Sequence, residues 1–411
     1  MYHDHHFHPM GYASLVTGLE LMDAKDLDQA LRWVADEAAA SEGPVIGQRL
    51  NDESLTELRL PTAADIDDMV RDRPVLLYRY CGHIAVANSA ALQLASLDEN
   101  TPDPPGGSFD RDNAGRPDGI LRETAIAAVS EALAPLITAP SDTDILEAMA
   151  RLPAMGIGSV TGIISVRGSV WCGIGDELET LCRLAPDLPI DMDVLVIAET
   201  PDALADAKVR IDRTEGRIRF HGWKEFSDGS LGGHTAAMYE PFSDRSDTIG
   251  TDRLQPDQAL EMARASLGMG GVVAIHAIGD RANDSVLDVF EELAKTGEDP
   301  SKLRVEHASI LKKAAVERMA KLGVTASVQP AFLASEENWL EKRLGAARME
   351  RAYPFRSMME AGIPLLGGSD SPVELPDPET GINAAVDRHG INPDQGLTRE
   401  QSERLFSPPE R

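Results

Sequence analysis

Read for its apolar and polar positions, the chain breaks into short apolar runs, β-branched or flanked by glycine, separated by stretches in which apolar residues recur at three and four positions. Eight runs predict strands: the start of the chain up to His8, then 157–163, 189–197, 218–226, 272–276, 303–307, 324–328 and 363–367. The periodic stretches 257–267, 284–293, 312–322 and 355–361 predict helices between them, and a last one at 399–406 follows the eighth strand. Strand alternating with helix predicts a parallel sheet, and eight such units close on themselves. The expected fold is therefore α/β, a (β/α)8 TIM barrel.

The rhythm fails once. About 145 residues separate the first expected strand from the second, where a crossover needs about 30 to 40. The chain thus divides into strand one (1–8), an insertion (9–150) and the remainder of the barrel (151–411). Inside the insertion, 26–38, 63–71 and 142–155 carry helical patterns, 74–80 is strand-like, and 101–119 is a Pro/Gly-rich loop, TPDPPGGSFDRDNAGRPDG. An excursion on a βα loop of a barrel is expected over the catalytic face, where it shapes the substrate pocket.

Composition narrows the setting. Apolar residues at 42% and charged residues at 26% give a globular protein with a substantial core. Sixty-eight acidic against 39 basic residues leave a net charge of -29, which repels nucleic acid and anionic membranes and promotes solubility. Cys81, Cys172 and Cys182 show neither a disulfide framework nor zinc-ribbon spacing. No run is long enough to span a bilayer and the N-terminus lacks a signal peptide, so the expected location is the cytoplasm.

Candidate chemistry falls at the strand ends. In Asp4-His5-His6-Phe7-His8, His6 and His8 are two apart, so an extended strand points both to one side, where they can grip one metal ion; alone, the run also reads as a tag or a solvated stretch. His276 closes GGVVAIHAIGD and His307 closes LRVEHAS, positions where a barrel's active-site loops begin. Neutral imidazole is the commonest zinc ligand, although one buried histidine is more often a core residue. Asp370, in PLLGGSDSPVE, suits metal binding or proton transfer, or else a cap on the following turn. Lys224, in HGWKEFSDGS, would have a depressed pKa beside metal ions. Carbon dioxide would turn it into an anionic carbamate able to bridge two metals. A Schiff-base lysine and a solvated lysine are the rival readings.

The ordered set of His-x-His, Lys, His, His and Asp resembles that of the amidohydrolase superfamily, and more narrowly the amidohydrolase family 3 group that includes bacterial N-substituted formamide deformylases. The segments that carry the resemblance are DHHFH (4–8), YCGHIAVANSAAL (80–92), DGILRE (118–123), WKEFSDGSLGGHTAAM (223–238), AIHAIGDRAND (274–284), RVEHA (304–308) and GGSDSPVE (367–374). The resemblance implies that His6 and His8 bind a first metal, completed by Asp370. It further implies a carboxylated Lys224 as bridge and a second metal on His276 and His307. His83 and Asn88 are similar to substrate-pocket elements of the family, with structural roles as the alternative; Asp228, Glu123 and Asp280 are weaker candidates. Gly233-His234 replaces the family's serine and arginine, which leaves His234 as an additional ligand, a substrate contact or a plain loop histidine. Family members also carry a small β-sandwich built from both chain ends, which this sequence largely lacks; its abrupt ends read as a trimmed form.

The expected function is hydrolysis of an amide-type C–N bond in a small neutral molecule by metal-activated hydroxide, with Asp370 as general acid and base. Zinc is the default ion, one or two per chain, although iron, manganese, cobalt or nickel suit similar ligands. Esters, lactones and cyclic ureas are open to the same chemistry. A Schiff-base lyase using Lys224 and an inactive or merely binding barrel are the alternatives. A small-molecule substrate and a homodimer, but neither nucleic acid nor membrane, are the expected partners.

Overall fold

The computed structural model describes residues 1–104, 106–137, 139–166 and 176–409. Cys172 and one proline of the loop 101–119 lie outside the described residues; Cys81 and Cys182 are free thiols. The chain opens with β1 (Tyr2–Phe7). It continues through β2 (Leu19–Glu20), β3 (Val45–Leu50), β4 (Val75–Arg79), β5 (Ile84–Ala87), β6 (Gly107–Arg111) and β7 (Pro117–Glu123). There follow β8 (Ile157–Ser165), β9 (Asp191–Ile197), β10 (Ile218–Phe226), β11 (Val272–Ala277), β12 (Leu303–His307), β13 (Thr325–Val328) and β14 (Leu365–Gly367). Each of the expected barrel strands is present, shifted by two residues at most.

Two compact units emerge from these elements, one formed by Met1–Pro9 with the described residues from Leu146 onward, the other by Met10–Ile145. The first holds an eight-stranded sheet in the order β1-β8-β9-β10-β11-β12-β13-β14, with every pairing parallel. The barrel closes where the segment after β14 meets β1. Phe7 bridges Ser371, the Asp370 amide donates to the His6 carbonyl at 2.8 Å, and the His8 amide donates to the Ser371 carbonyl at 2.9 Å. The barrel is thus joined to itself at the two residues flanking the expected ligands.

Alternation along the strands decides what fills the barrel. Ile163, Leu195 and Ala274 form an apolar cluster with Ile197 and Val272 packed against it. Because Val272, Ala274 and His276 share one face of β11, the histidine stands at the strand's end above that apolar pair. Another part of the interior is polar: His3 meets the Ser159 and Thr161 hydroxyls at 2.7 and 2.9 Å, and Arg304 is buried with Glu306 two residues on. Outside run Pro256–Gly268, Asp280–Lys295, Lys313–Leu322 and Phe355–Glu360, the helices predicted from periodicity; Asp280–Lys295 buries Val286, Leu287, Phe290 and Leu293 along one stripe.

The second unit departs from expectation. The expected helices are present at Leu27–Ala40 and Ala63–Asp67 and the expected strand at β4, but that strand belongs to a six-stranded sheet in the order β2-β3-β4-β5-β7-β6, parallel from β2 to β4 and antiparallel beyond. Successive residues of β4 feed opposite faces: Val75 and Leu77 pack with Val45 and Val86, while Leu76 and Tyr78 pack with Ala85 and Ala87. The expected loop 101–119 holds β6 and the start of β7. Its DNAG stretch is the turn between them, with the Asp112 carboxylate accepting from the Ala114 and Arg116 amides, and Arg122 pairs with Asp110 across the two strands at 2.6 Å. Polar strands paired by charge left no apolar alternation to detect. Among the described residues no helix is long and apolar enough to cross a membrane.

Candidate metal centre

At the end of β1 the Asp4 carboxylate holds the strand to the segment after β14: Oδ1 accepts from the His6 and Ser369 amides at 3.1 and 3.0 Å, and Oδ2 from the Ser369 hydroxyl at 2.6 Å. Burial pushes this carboxyl up to about 6 against those bonds. The pinned strand aims both imidazoles at one carboxylate oxygen. Nε2 of His6 and Nε2 of His8 each lie 3.2 Å from Oδ1 of Asp370, and one donor atom from each of the three residues falls within 4.8 Å of the others. The other nitrogen of His6, Nδ1, faces Oε2 of Glu306 at 2.6 Å. Since a carboxylate only accepts, Nδ1 carries a proton there, which leaves Nε2 as the nitrogen able to ligate once its own proton, held toward Asp370, gives way to a metal ion.

His276 and His307 complete a ring cluster: their centroids are 4.4 Å apart, and His307 stands 4.9 Å from His6. Nε2 of His276 faces the Gly229 carbonyl at 3.0 Å and Asp228 Oδ1 at 3.2 Å, so the tautomer that donates from Nε2 carries its lone pair on Nδ1. His307 is oriented the other way round, Nδ1 meeting Gln329 Oε1 at 2.7 Å. Left-handed backbone makes this convergence possible. With φ of 71° at His307, the alternation of β12 breaks, so that consecutive residues Glu306 and His307 both turn toward His6; Asp370 is left-handed as well, at 58°. Each such non-glycine residue costs about 1–3 kcal/mol, a strain concentrated at functional sites.

Lys224 is fully buried on β10, its Nζ 3.2 Å from the Glu225 carbonyl and 3.5 Å from the centre of the Phe226 ring. Burial lowers the amine to about 8, against the pull of Glu306, Asp370 and Glu225 toward the charged form, and its charge in turn weighs on His8 and His307. Burial likewise lowers His8 and His307. At His6 burial is outweighed by Asp370 and Glu306, which hold the imidazole up to about 9. Burial would raise Asp370, yet His6, with His8 and His307, keeps it well below the usual carboxylate range.

The structure therefore brings His6, His8, His276, His307 and Asp370 together, with the buried Lys224 acting on His8 and His307 through its charge, while the weaker candidates make contacts of their own. Asp228 is a brace: its carboxylate accepts from the Ile278, Gly279 and Ala237 amides at 3.0, 2.8 and 2.8 Å besides facing His276, and burial holds it up to about 7. His234 turns to Asp244 at 3.1 Å and edges onto Phe242, apart from the donor atoms around Asp370. Asp280 accepts from the Tyr239 amide and pairs with Arg351. In the insertion, His83 pairs with Glu123 at 2.9 Å. Asn88 is spent on backbone: Oδ1 accepts from the Val75 and Ala91 amides and Nδ2 donates to the Val70 and Arg73 carbonyls.

Sequence reasoning missed Glu306, Arg304 and Gln329. Glu306 and Gln329 occupy strand ends like the candidate ligands, and that position was the signal available.

The buried set of imidazoles and carboxylate, with three rings fixed by partners on their far nitrogens, fits a divalent transition-metal ion. The amidohydrolase family model matches residues 3–408. The Bacillus subtilis (strain 168) protein YtcJ is 31% identical over 98% of this chain and 75% of its own length. The N-substituted formamide deformylase of Arthrobacter pascens is 26% identical over 88% of this chain and 68% of its own. An uncharacterized metal-dependent hydrolase from Pyrococcus furiosus superposes with a TM-score of 0.73 at 30% identity, covering 98% of this chain and 80% of that one.

Proposed function

Because this chain belongs to the amidohydrolase family and its solved relatives are metal-dependent hydrolases, we propose that it hydrolyses an amide-type C–N bond of a small molecule. The observation that carries the proposal is the single Asp370 oxygen 3.2 Å from Nε2 of both His6 and His8. His6, His8 and Asp370 would hold one ion, and His276 and His307 a second, zinc being the default. Such an ion, when bound, acidifies a water and polarises a carbonyl. Asp370, kept ionised by its histidines, accepts the proton as water adds to the carbonyl carbon and returns it to the nitrogen as the C–N bond breaks. Lys224 would bridge as a carbamate. Its burial favours this, because only the neutral amine combines with carbon dioxide.

The deformylase relative suggests N-formyl and N-acyl amines as the first substrates to test. The deciding experiment is elemental analysis of the purified protein before and after chelation, beside a His276→Ala/His307→Ala variant. One or two equivalents of transition metal in the parent, fewer in the variant, together with chelator-sensitive hydrolysis, are the expected result. A folded parent that takes up no metal after incubation with zinc and bicarbonate would overturn the proposal.

A further inference from the structure

Glu306 sits fully buried in the barrel, one residue before His307, yet both its carboxylate oxygens are already engaged. Oε2 faces Nδ1 of His6 at 2.6 Å, and Oε1 accepts from Nε of Arg304 at 2.9 Å. Arg304, 4% exposed, is itself held at two further points: Nη2 donates to the His5 carbonyl at 3.0 Å and Nη1 meets Nε2 of His221 at 3.3 Å. An unbroken chain thus runs from the barrel interior through Arg304 and Glu306 to the back of the His6 ring. It ties β12 to β1 through His6 and the His5 carbonyl, and to β10 through His221.

A buried carboxylate is costly to maintain unless a cation and hydrogen bonds compensate it, and this one has both. Its two oxygens point at partners, and it is not among the residues whose donor atoms meet at Asp370. An anion behind an imidazole fixes the tautomer and ring plane and makes the opposite nitrogen more basic. We propose that Glu306, anchored by Arg304, is a positioning residue that locks His6 with its proton on Nδ1 and so sets the affinity of the first metal site. The proposal rests on the reading of His6 as a ligand.

The test uses the full chain and zinc, with affinity measured by competition against a chelating indicator. Glu306→Gln should weaken zinc binding roughly 10- to 100-fold while leaving the number of equivalents bound at saturation unchanged. Since Glu306→Gln leaves Arg304 buried without its anion, the double variant Arg304→Met/Glu306→Gln removes both charges together and should show the same loss with a metal-free melting temperature near the parent's. Ring ¹⁵N spectra of the zinc-loaded parent should show His6 protonated at Nδ1 in a strong hydrogen bond, a signal weakened in both variants. Parental zinc affinity in a folded double variant would overturn the proposal. So would the loss of a whole equivalent at saturating zinc, which would make Glu306 a ligand. His6→Ala separates the two levels: if it too leaves zinc binding untouched, the metal-centre reading fails. If it abolishes one site while the Glu306 variants bind normally, only the positioning role fails.

Discussion

Oδ1 of Asp370 lies 3.2 Å from Nε2 of His8, and the same oxygen lies equally far from Nε2 of His6. One carboxylate oxygen shared by two imidazoles separates charge from shape at this position. Asp370→Asn removes the anion while keeping the size and the tolerance of left-handed φ that the backbone requires at 58°. Turnover should fall by roughly 10²–10⁴-fold, the scale of a lost acid–base group, with near-UV circular dichroism unchanged. An Asn variant of near-normal activity would sink the assignment.

Gly368 allows that carboxylate its position. A Cβ built on Gly368 would fall 2.6 Å from the His6 amide nitrogen, 2.7 Å from the His6 Cβ and 3.0 Å from Asp4 Oδ1. Two of these contacts are with parts of His6 that cannot swing aside. Gly368→Ala should therefore spread the closure between β14 and β1, costing roughly 1–3 kcal/mol of stability and reducing zinc uptake. Gly268→Ala, at a helix end where nothing lies within 4 Å, serves as the control and should be neutral or mildly stabilising. Equal effects of the two substitutions on zinc uptake would refute the steric argument.

The barrel was legible in the sequence because most of its strands are short apolar runs beside a periodic helix, and several candidate ligands stood out because they close such a run. His276 after VVAI and His307 after LRVE are of this kind. Most strands of the insertion were not legible, for the opposite reason. β6 reads GSFDR and β3 reads VIGQRL, strands set by their cross-strand partners rather than by local alternation. Glu306 was overlooked because only tertiary structure reveals what a buried acid faces. In sequence it was simply the residue before a histidine.

Asn88 tests the boundary between fold and function. With both amide ends committed to four backbone groups and no exposure, Asn88→Ala leaves buried amides and carbonyls without partners. The expected cost is roughly 2–4 kcal/mol, read as a lowered denaturation midpoint of the insertion. Michaelis constants of whatever protein remains folded should stay within about twofold of the parent's, since on this geometry no atom of the side chain is left to contact a substrate. A large rise in KM at unchanged stability would return Asn88 to the substrate pocket.

The carbamate proposal for Lys224 makes a prediction in pH. The amine nitrogen attacks the carbon of carbon dioxide and one proton leaves, so the reactive species is the neutral amine. At pH 7 an amine lowered to about 8 is neutral in roughly one molecule in ten, whereas an ordinary lysine is neutral in roughly one in 2,500. Raising the pH from 7 to 9 should carry Lys224 from mostly charged to mostly neutral, increasing its carboxylation rate about tenfold at fixed dissolved carbon dioxide, with a plateau above. An ordinary lysine would still be gaining at pH 10. The measurement is the ¹³C carbamate signal formed from labelled carbon dioxide in metal-free protein, taken as the difference from Lys224→Ala so that surface amines and the chain terminus cancel. A difference signal that levels off near pH 9 supports a buried amine poised for carboxylation. One that continues to climb past pH 10, or no difference signal at any pH, would remove the carbamate from the site and leave Lys224 as a buried cation among the metal ligands.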